Sequence, residues 1–292
     1  MAAIVGRPNV GKSTLANRLV GEKIAIVTPK PQTTRGRIFG IVSRDDTQFV
    51  LLDTPGYHRA RNKLGEYMDK VSTGSIEGAD CAVLVVEPKD EPGTQEKILI
   101  KAIEAAKIPA VLVINKIDTV EKPKLLAVIA AYAALHDFAA VVPLSAKTGS
   151  GTELLLDELV PFAREGTQLF DEDEYTDQPI RQMLAEILRE KLLLCLDAEV
   201  PHGVAVEVTS YKTRPSGLVD VEMTIYCEKD SHKGMIIGHR GEMLKKVNTL
   251  ARHDMEKLLD TEVFMQVWVR VKDNWRDSTA QLKNFGFTED DR

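Results

Sequence analysis

Residues 6–14 read GRPNVGKST, directly behind the apolar run AAIV at 2–5. The order Gly6-x-x-x-x-Gly11-Lys12-Ser13 is that of a loop that wraps phosphates. Glycines let backbone N–H groups turn inward and approach phosphate oxygens. Arg7, Pro8, Asn9 and Val10 form the wall between them, and Thr14 follows. Lys12 places a point charge on the β- and γ-phosphates, and the Ser13 hydroxyl can ligate Mg²⁺. A helix starting here would turn its positive end to the same anion. A structural turn would not need Lys12 and Ser13 together.

Working outward, QFVLLD (48–53), CAVLVV (81–86) and AVLVIN (110–115) are β-branched and almost continuously apolar, the pattern of strands buried on both faces. Between two of them, residues 94–107 carry Ile98, Ile103 and Ala106 at helical spacing. Such alternation predicts an α/β domain over residues 1–165, with a mostly parallel sheet and helices on both faces. The segment 166–178 reads as a solvated linker, because Asp171–Glu174 are four consecutive acids among polar residues. Residues 179–292 change texture. Ile180, Met183, Leu184, Ile187, Leu188 and Leu192 mark a helix face, with Asp177 as cap and Pro179 in the first turn. VAVEVT and VDVEMTIY follow as strands, and Val263, Met265, Val267, Val269 and Val271 alternate strictly in a third.

The phosphate loop leaves the nucleotide base unspecified; NKID at Asn115–Asp118 specifies it. A carboxylate only accepts hydrogen bonds. Guanine offers two adjacent donors, N1–H and the 2-amino group, for Asp118, whereas adenine would leave that charge buried and unpaired. Asn115 can tie neighbouring loops, and the Lys116 stem can lie along the base. SAK at Ser145–Lys147, with Ala146 between them, would add a backbone donor to the guanine oxygen. DTPG (Asp53, Thr54, Pro55, Gly56) ends the strand QFVLLD. There Asp53 can hold a water on Mg²⁺, and the Gly56 N–H can meet the γ-phosphate. In PQTTRGR, Thr34, beside Arg35, is preferred to Thr33 for completing the magnesium shell. These loops together predict GTP binding with Mg²⁺ held by Ser13, Thr34 and, through water, Asp53. Lys12, Thr34 and Gly56 are expected to act on the reacting phosphate. Tyr57 stands where many small GTPases carry a water-orienting glutamine. His58 next to it reads as a solvated loop residue rather than a base.

In the second half, Gly238-His239-Arg240-Gly241 is a G-x-x-G loop inside KGMIIGHRG. It precedes a helix with Met243, Leu244, Val247, Leu250, Ala251, Met255 and Leu258 assigned to one face. Two strands before and one after give the order of an α+β type II KH domain, whose loop lets a nucleic-acid backbone approach closely. Between Lys233 and Arg252 lie five basic residues and one acid, Glu242, a local positive stripe. The expected RNA-binding residues are Lys233, Gly234, Ile237, Gly238, His239, Arg240, Gly241, Lys245 and Lys246, with single-stranded RNA rather than DNA as ligand. Trp268 and Trp275 are assigned to the core.

The 292 residues carry a net charge of −6, which argues against broad nonspecific nucleic-acid binding. With 43% hydrophobic and 28% charged residues the composition is that of a soluble globular chain. No run approaches a membrane span, and no signal peptide precedes the first strand, so a cytoplasmic location is expected. Cys81, Cys195 and Cys227 form no C-x-x-C pair and read as reduced core residues.

GRPNVGKST, PQTTR, DTPG, NKID and SAK, in that order, together with KLGEYM, DQPIRQMLAEILREKLL and VKDNWRDS, make almost the whole chain resemble the Era family of KH-domain GTPases. The resemblance implies a monomeric switch that hydrolyses GTP slowly. It implies binding to 16S ribosomal RNA near its 3′ end and action in 30S subunit assembly. An aromatic or hydrophobic residue at Tyr57 is usual there. In related GTPases an asparagine at the position of Asn9 goes with stimulation by K⁺, so K⁺ or RNA is expected to raise the rate. Peripheral contact with the inner face of the cell membrane stays open, as does the reading of another RNA-associated or membrane-peripheral P-loop GTPase regulator. A P-loop metabolic kinase would need an acceptor pocket and lid that the sequence does not display, and it leaves NKID unexplained.

Overall fold

The computed structural model describes residues 1–58, 60–89, 91–197 and 200–287; the last five residues of the range assigned to the second domain lie outside these. The chain divides into two compact units, with the change between Asp177 and Gln178.

The first unit is a six-stranded sheet in the order β2-β3-β1-β4-β5-β6. Strands β1 (Ala2–Val5), β3 (Thr47–Asp53), β4 (Cys81–Val86), β5 (Ala110–Ile114) and β6 (Ala140–Pro143) run parallel, and their central members are buried throughout. β2 (Ile38–Arg44) is antiparallel to β3 and closes one edge, a strand that its mixed texture, FGIVSR, did not announce. Helices α1 (Lys12–Val20) and α5 (Thr152–Leu159) cover one face through Leu15, Leu19, Leu155 and Leu159. α2 (Lys63–Glu77), α3 (Thr94–Ala106) and α4 (Lys122–Ala133) include the residues Ile76, Leu99, Ile103, Val128 and Tyr132 that pack on the other. In α3 the inward stripe is Glu96, Leu99, Ile100 and Ile103, whereas Ile98, assigned to that face from spacing, is 39% exposed. Because α/β order places every parallel strand's C-terminal end on one edge, the loops after β1, β3, β5 and β6 meet there.

The segment expected to be solvated is exposed at Asp171–Glu174 and is also strapped to this unit. Gln48 Oε1 accepts from Leu169 N (2.9 Å) and Phe170 N (3.0 Å), and Gln48 Nε2 donates to Phe170 O (2.9 Å). Ile41 N donates to Tyr175 O (2.9 Å), and Phe170 packs on the core. One glutamine satisfies the backbone of a chain that has no sheet partner of its own.

The second unit is a three-stranded sheet, β7 (Ala205–Thr213), β8 (Val219–Cys227) and β9 (Val263–Val271), with β8 antiparallel to β7 and parallel to β9. α6 (Ile180–Cys195), α7 (Asp230–Ile237) and α8 (Glu242–Leu259) supply its core, with α9 (Thr279–Asn284) near the end. The N-cap of α6 is Pro179, not Asp177; its missing N–H costs nothing at a helix start, and its carbonyl accepts from Gln182 N (2.8 Å). In α8 only Val247, Ala251 and Met255 are fully buried, while Leu250 and Leu258 are exposed. Lys191 of α6 pairs with Asp254 of α8 and Glu190, so two buried charges are compensated. Trp275 is fully buried and donates from Nε1 to Gly203 O (2.9 Å). Trp268, expected in the core, is 44% exposed: it alternates with the inward Val267 and Val269 and therefore points to the outer face of the sheet.

Candidate nucleotide site and nucleic-acid interface

The glycine-lysine loop lies between β1 and α1, and Lys12 is the first residue of the helix. Its ammonium is 6% exposed and donates to Gly6 O (3.1 Å) and Arg7 O (3.0 Å). Burial lowers its pKa to about 8 in spite of the nearby Asp53 carboxylate. A buried cation that holds its own loop carbonyls is matched by an anion within the loop. Gly56 closes this pocket from the other side. A β-carbon there would lie 2.6 Å from the Pro8 backbone, so only glycine lets the DTPG turn meet the phosphate loop.

Three oxygens converge below Lys12. Ser13 Oγ donates to Asp53 Oδ2 (2.6 Å) and lies 2.8 Å from Thr34 Oγ1, across 40 and 21 residues of sequence respectively. Thr33 turns away, towards Thr28 Oγ1 (2.6 Å) and Lys30 O (2.8 Å). Asp53 is fully buried, its Oδ1 has no hydrogen-bond partner, and burial pushes its carboxyl up to about 6. A buried, partly orphaned carboxylate beside two hydroxyls is the donor set of a hard divalent cation. The 28–34 loop covers this cluster, with Asn9 Nδ2 donating to Pro29 O (3.0 Å), and leaves a cavity of about 420 Å³ lined by phosphate-loop and 28–34 residues.

The base side is built on Asn115. Its Nδ2 donates to Val10 O (2.8 Å), and its Oδ1 accepts from Lys116 N (2.7 Å) and Ala146 N (2.9 Å). Within the SAK turn expected to offer a backbone donor to the guanine oxygen, Ala146 N donates to Asn115 Oδ1. Asp118 accepts from Ser145 Oγ (2.6 Å), which, ahead of any charge effect, holds its carboxyl below the usual range. Its side chain is exposed rather than buried, so any penalty for a wrong base arises only once the base covers it. Lys116 Nζ donates to Asn9 O (2.6 Å) and Glu87 Oε1 (2.5 Å), which fixes the stem beside the pocket.

Some assigned residues serve the fold. Thr54 Oγ1 donates to Ile4 O (2.8 Å) and is fully buried, Val10 lies in the core, and Pro55 is buried. The Arg7 guanidinium turns away to pair with Glu96, leaving only its backbone for phosphate. The motifs could not reveal two supporting residues: Glu96 on α3, and Arg18 on α1, whose guanidinium donates to Ala146 O (3.2 Å) and Lys147 O (2.8 Å). Tyr57 packs partly against the core, and its backbone N–H donates to Gly6 O (3.1 Å).

In the second unit, Gly238 ends α7 with φ 73° and ψ 178°. A β-carbon there would lie 2.6 Å from Met243 Cβ. The G-x-x-G turn opens onto a groove of about 550 Å³ between α8 and β9. Gly241 and Lys245, both expected among the RNA-binding residues, line it. Leu244, Arg252, Phe264 and Met265 also line it and had not been assigned there; the apolar floor was read as core. Lys246, His239 and Arg240 are exposed outside the groove lining.

A phosphate loop on a parallel sheet, a guanine-type NKID/SAK pair, and a separate G-x-x-G unit of order α-β-β-α-α-β define a P-loop GTPase joined to a KH domain. Comparison with known proteins agrees: residues 1–116 match the family described as 50S ribosome-binding GTPase, and residues 199–276 match the KH domain. GTPase Era of Ruminiclostridium cellulolyticum is 49% identical over 98% of this chain and 96% of its own length; that of Geotalea uraniireducens is 47% identical over 98% and 96%. The chain belongs to the Era family of GTPases. Among solved structures, Era in complex with MgGDPNP and nucleotides 1506–1542 of 16S ribosomal RNA superimposes with a TM-score of 0.95 at 32% identity, covering 98% of both chains. A tyrosine-to-alanine variant of Aquifex aeolicus Era bound to GDP and AlF₄⁻ gives 0.94 at 33%, also covering 98% of both. Among the described residues no helix is long and apolar enough to cross a membrane.

Proposed function

We propose that this GTPase binds the 3′ region of 16S ribosomal RNA through the groove between α8 and β9, and that it acts in assembly of the 30S subunit as a cytoplasmic monomer. The observation that carries the reading is the conjunction, in one chain, of the Ser13–Thr34–Asp53 cluster under Lys12 and a G-x-x-G turn beside a groove with basic walls and an apolar floor. Ser13 and Thr34 would hold Mg²⁺ directly and Asp53 through water; the ion supplies charge neutralisation on the triphosphate. Lys12 binds the β- and γ-phosphates, the Gly56 N–H meets the γ-phosphate, and Asp118 and Asn115 orient the base. In the groove, Lys245 and Arg252 meet phosphates while Leu244, Phe264 and Met265 offer surfaces for unpaired bases.

Gly238→Asp is a poor test, because any side chain there displaces Met243. Charge reversal at Lys245 and Arg252 together is the cleaner one. It is expected to weaken binding of a 16S 3′-end fragment about 10- to 100-fold, and to flatten the dependence of log affinity on log salt by about 2, with GTP affinity unchanged. Wild-type RNA affinity in the double variant would overturn the assignment.

K⁺ stimulation rests on Asn9, whose amide nitrogen is engaged by Pro29 O, so that Oδ1 is the atom available to a monovalent cation. Turnover in K⁺ is expected to exceed that in Na⁺ several-fold, by supplying positive charge where other GTPases use arginine. Equal rates in the two salts, measured by phosphate release at matched ionic strength, would remove Asn9 from the catalytic set.

A further inference from the structure

His58 was read as a solvated loop residue, and the structure contradicts this: its side chain is 15% exposed. Its backbone N–H donates to Asp69 Oδ1 of α2 (3.1 Å), and its ring Nδ1 lies 3.3 Å from the same oxygen. The Asp69 carboxylate thus holds the main chain at His58 by a hydrogen bond and lies beside the ring. The opposite ring nitrogen, Nε2, lies 2.7 Å from Gln32 Nε2. As a hydrogen bond, this contact has the Gln32 amide N–H donating to the His58 ring nitrogen.

Gln32 belongs to the loop that also carries Thr34, and it lines the nucleotide cavity. Its φ is 61°, in the left-handed region, at a cost of about 1 kcal/mol or more for a residue with a β-carbon. Such a conformation persists where its surroundings hold it. The Gln32 side chain is held by the His58 ring. The two loops that must close on a triphosphate are therefore joined side chain to side chain, with α2 as the anchor.

We propose that His58 is a positioning residue for GTP hydrolysis: fixed by Asp69, it grips Gln32 and keeps the 28–34 loop closed over the γ-phosphate. Tyr57 beside it packs partly against the core. GDP does not require the closed loop, so the latch acts on the triphosphate state alone.

His58→Ala is expected to lower kcat about tenfold and to speed dissociation of a fluorescent non-hydrolysable GTP analogue several-fold, with GDP affinity unchanged. Gln32→Ala, on an accessible loop where misfolding is not a concern, should reproduce both effects. The double variant should be no worse than either single one, because the two act as one contact. His58→Gln, which retains a hydrogen-bonding side chain, should recover part of kcat. Wild-type kcat in Gln32→Ala, or losses that multiply in the double variant, would overturn the proposal. So would a fall in GDP affinity equal to the loss of GTP-analogue binding in both single variants.

Discussion

An Asp118→Asn variant is expected to bind GTP about 100- to 1000-fold more weakly and to gain measurable affinity for xanthosine triphosphate. The carboxylate accepts from two donors on guanine; an asparagine at the same place presents one acceptor and one donor. Guanine's 2-amino group then faces an N–H, and a pair becomes a repulsion. Xanthine carries an oxygen at that position, which the new N–H can meet. Ser145 Oγ donates to Asp118 in the structure, so the variant also keeps a neighbour able to set the amide's orientation. Calorimetric titration with both nucleotides reads the exchange directly. Unchanged preference for GTP would mean that the base is recognised elsewhere.

The second large effect concerns Lys12, and its sign is opposite for stability and for function. Its ammonium is buried and lowered to about 8 from 10.5, mainly by desolvation, a displacement worth about 3 kcal/mol. Because the folded pKa is depressed, the associated stability is present above pH 10.5 and lost as pH falls through about 8; at neutral pH the nucleotide-free protein bears the cost. Asp53, raised to about 6 by burial, adds a cost of the opposite titration: its stability is present below about pH 4 and lost as pH rises through about 6. The combined cost of these two groups to the free protein is thus greatest between about pH 6 and 8, where both are charged. Lys12→Met, which preserves length and removes the charge, is expected to raise the nucleotide-free melting temperature by several degrees near pH 7. The same variant should lose GTP hydrolysis to below detection and most of its nucleotide affinity. A melting temperature equal to or below that of the wild type, with folding intact by circular dichroism, would show that Lys12 is compensated within the free protein. Acidification below about pH 6 should also weaken Mg²⁺-dependent GTP binding, as Asp53 takes up a proton and ceases to attract the cation.

The chemistry of the phosphate loop was legible from nine consecutive letters, because a backbone that cradles an anion is contiguous by nature. The same holds for the G-x-x-G turn and for the buried parallel strands, whose apolar runs need no partner to be recognised. NKID was legible for a related reason: the two side chains that matter sit three residues apart at the end of one strand. Less was legible where a residue's duty depends on the element packed against it. Thr54 lies inside the DTPG motif yet spends its hydroxyl on β1. Arg7 lies inside the phosphate loop yet turns to Glu96. Leu250 and Trp268 follow the apolar pattern yet face outwards, and an acidic linker lies along β2 because Gln48 can satisfy its backbone.

By itself, then, the sequence determined the fold class, the guanine-nucleotide motif set and the KH order of the second half, since these rest on short-range spacing and on backbone geometry. Only the tertiary structure decided which of two adjacent threonines meets Ser13, that Ala146 N is occupied, and that His58, Gln32 and Asp69 form one chain of contacts. Hydrogen bonds and ion pairs act over about 3 Å, whereas these partners are separated by 11 to 31 residues; which of them come within reach is set by the packing of the whole sheet and its helices.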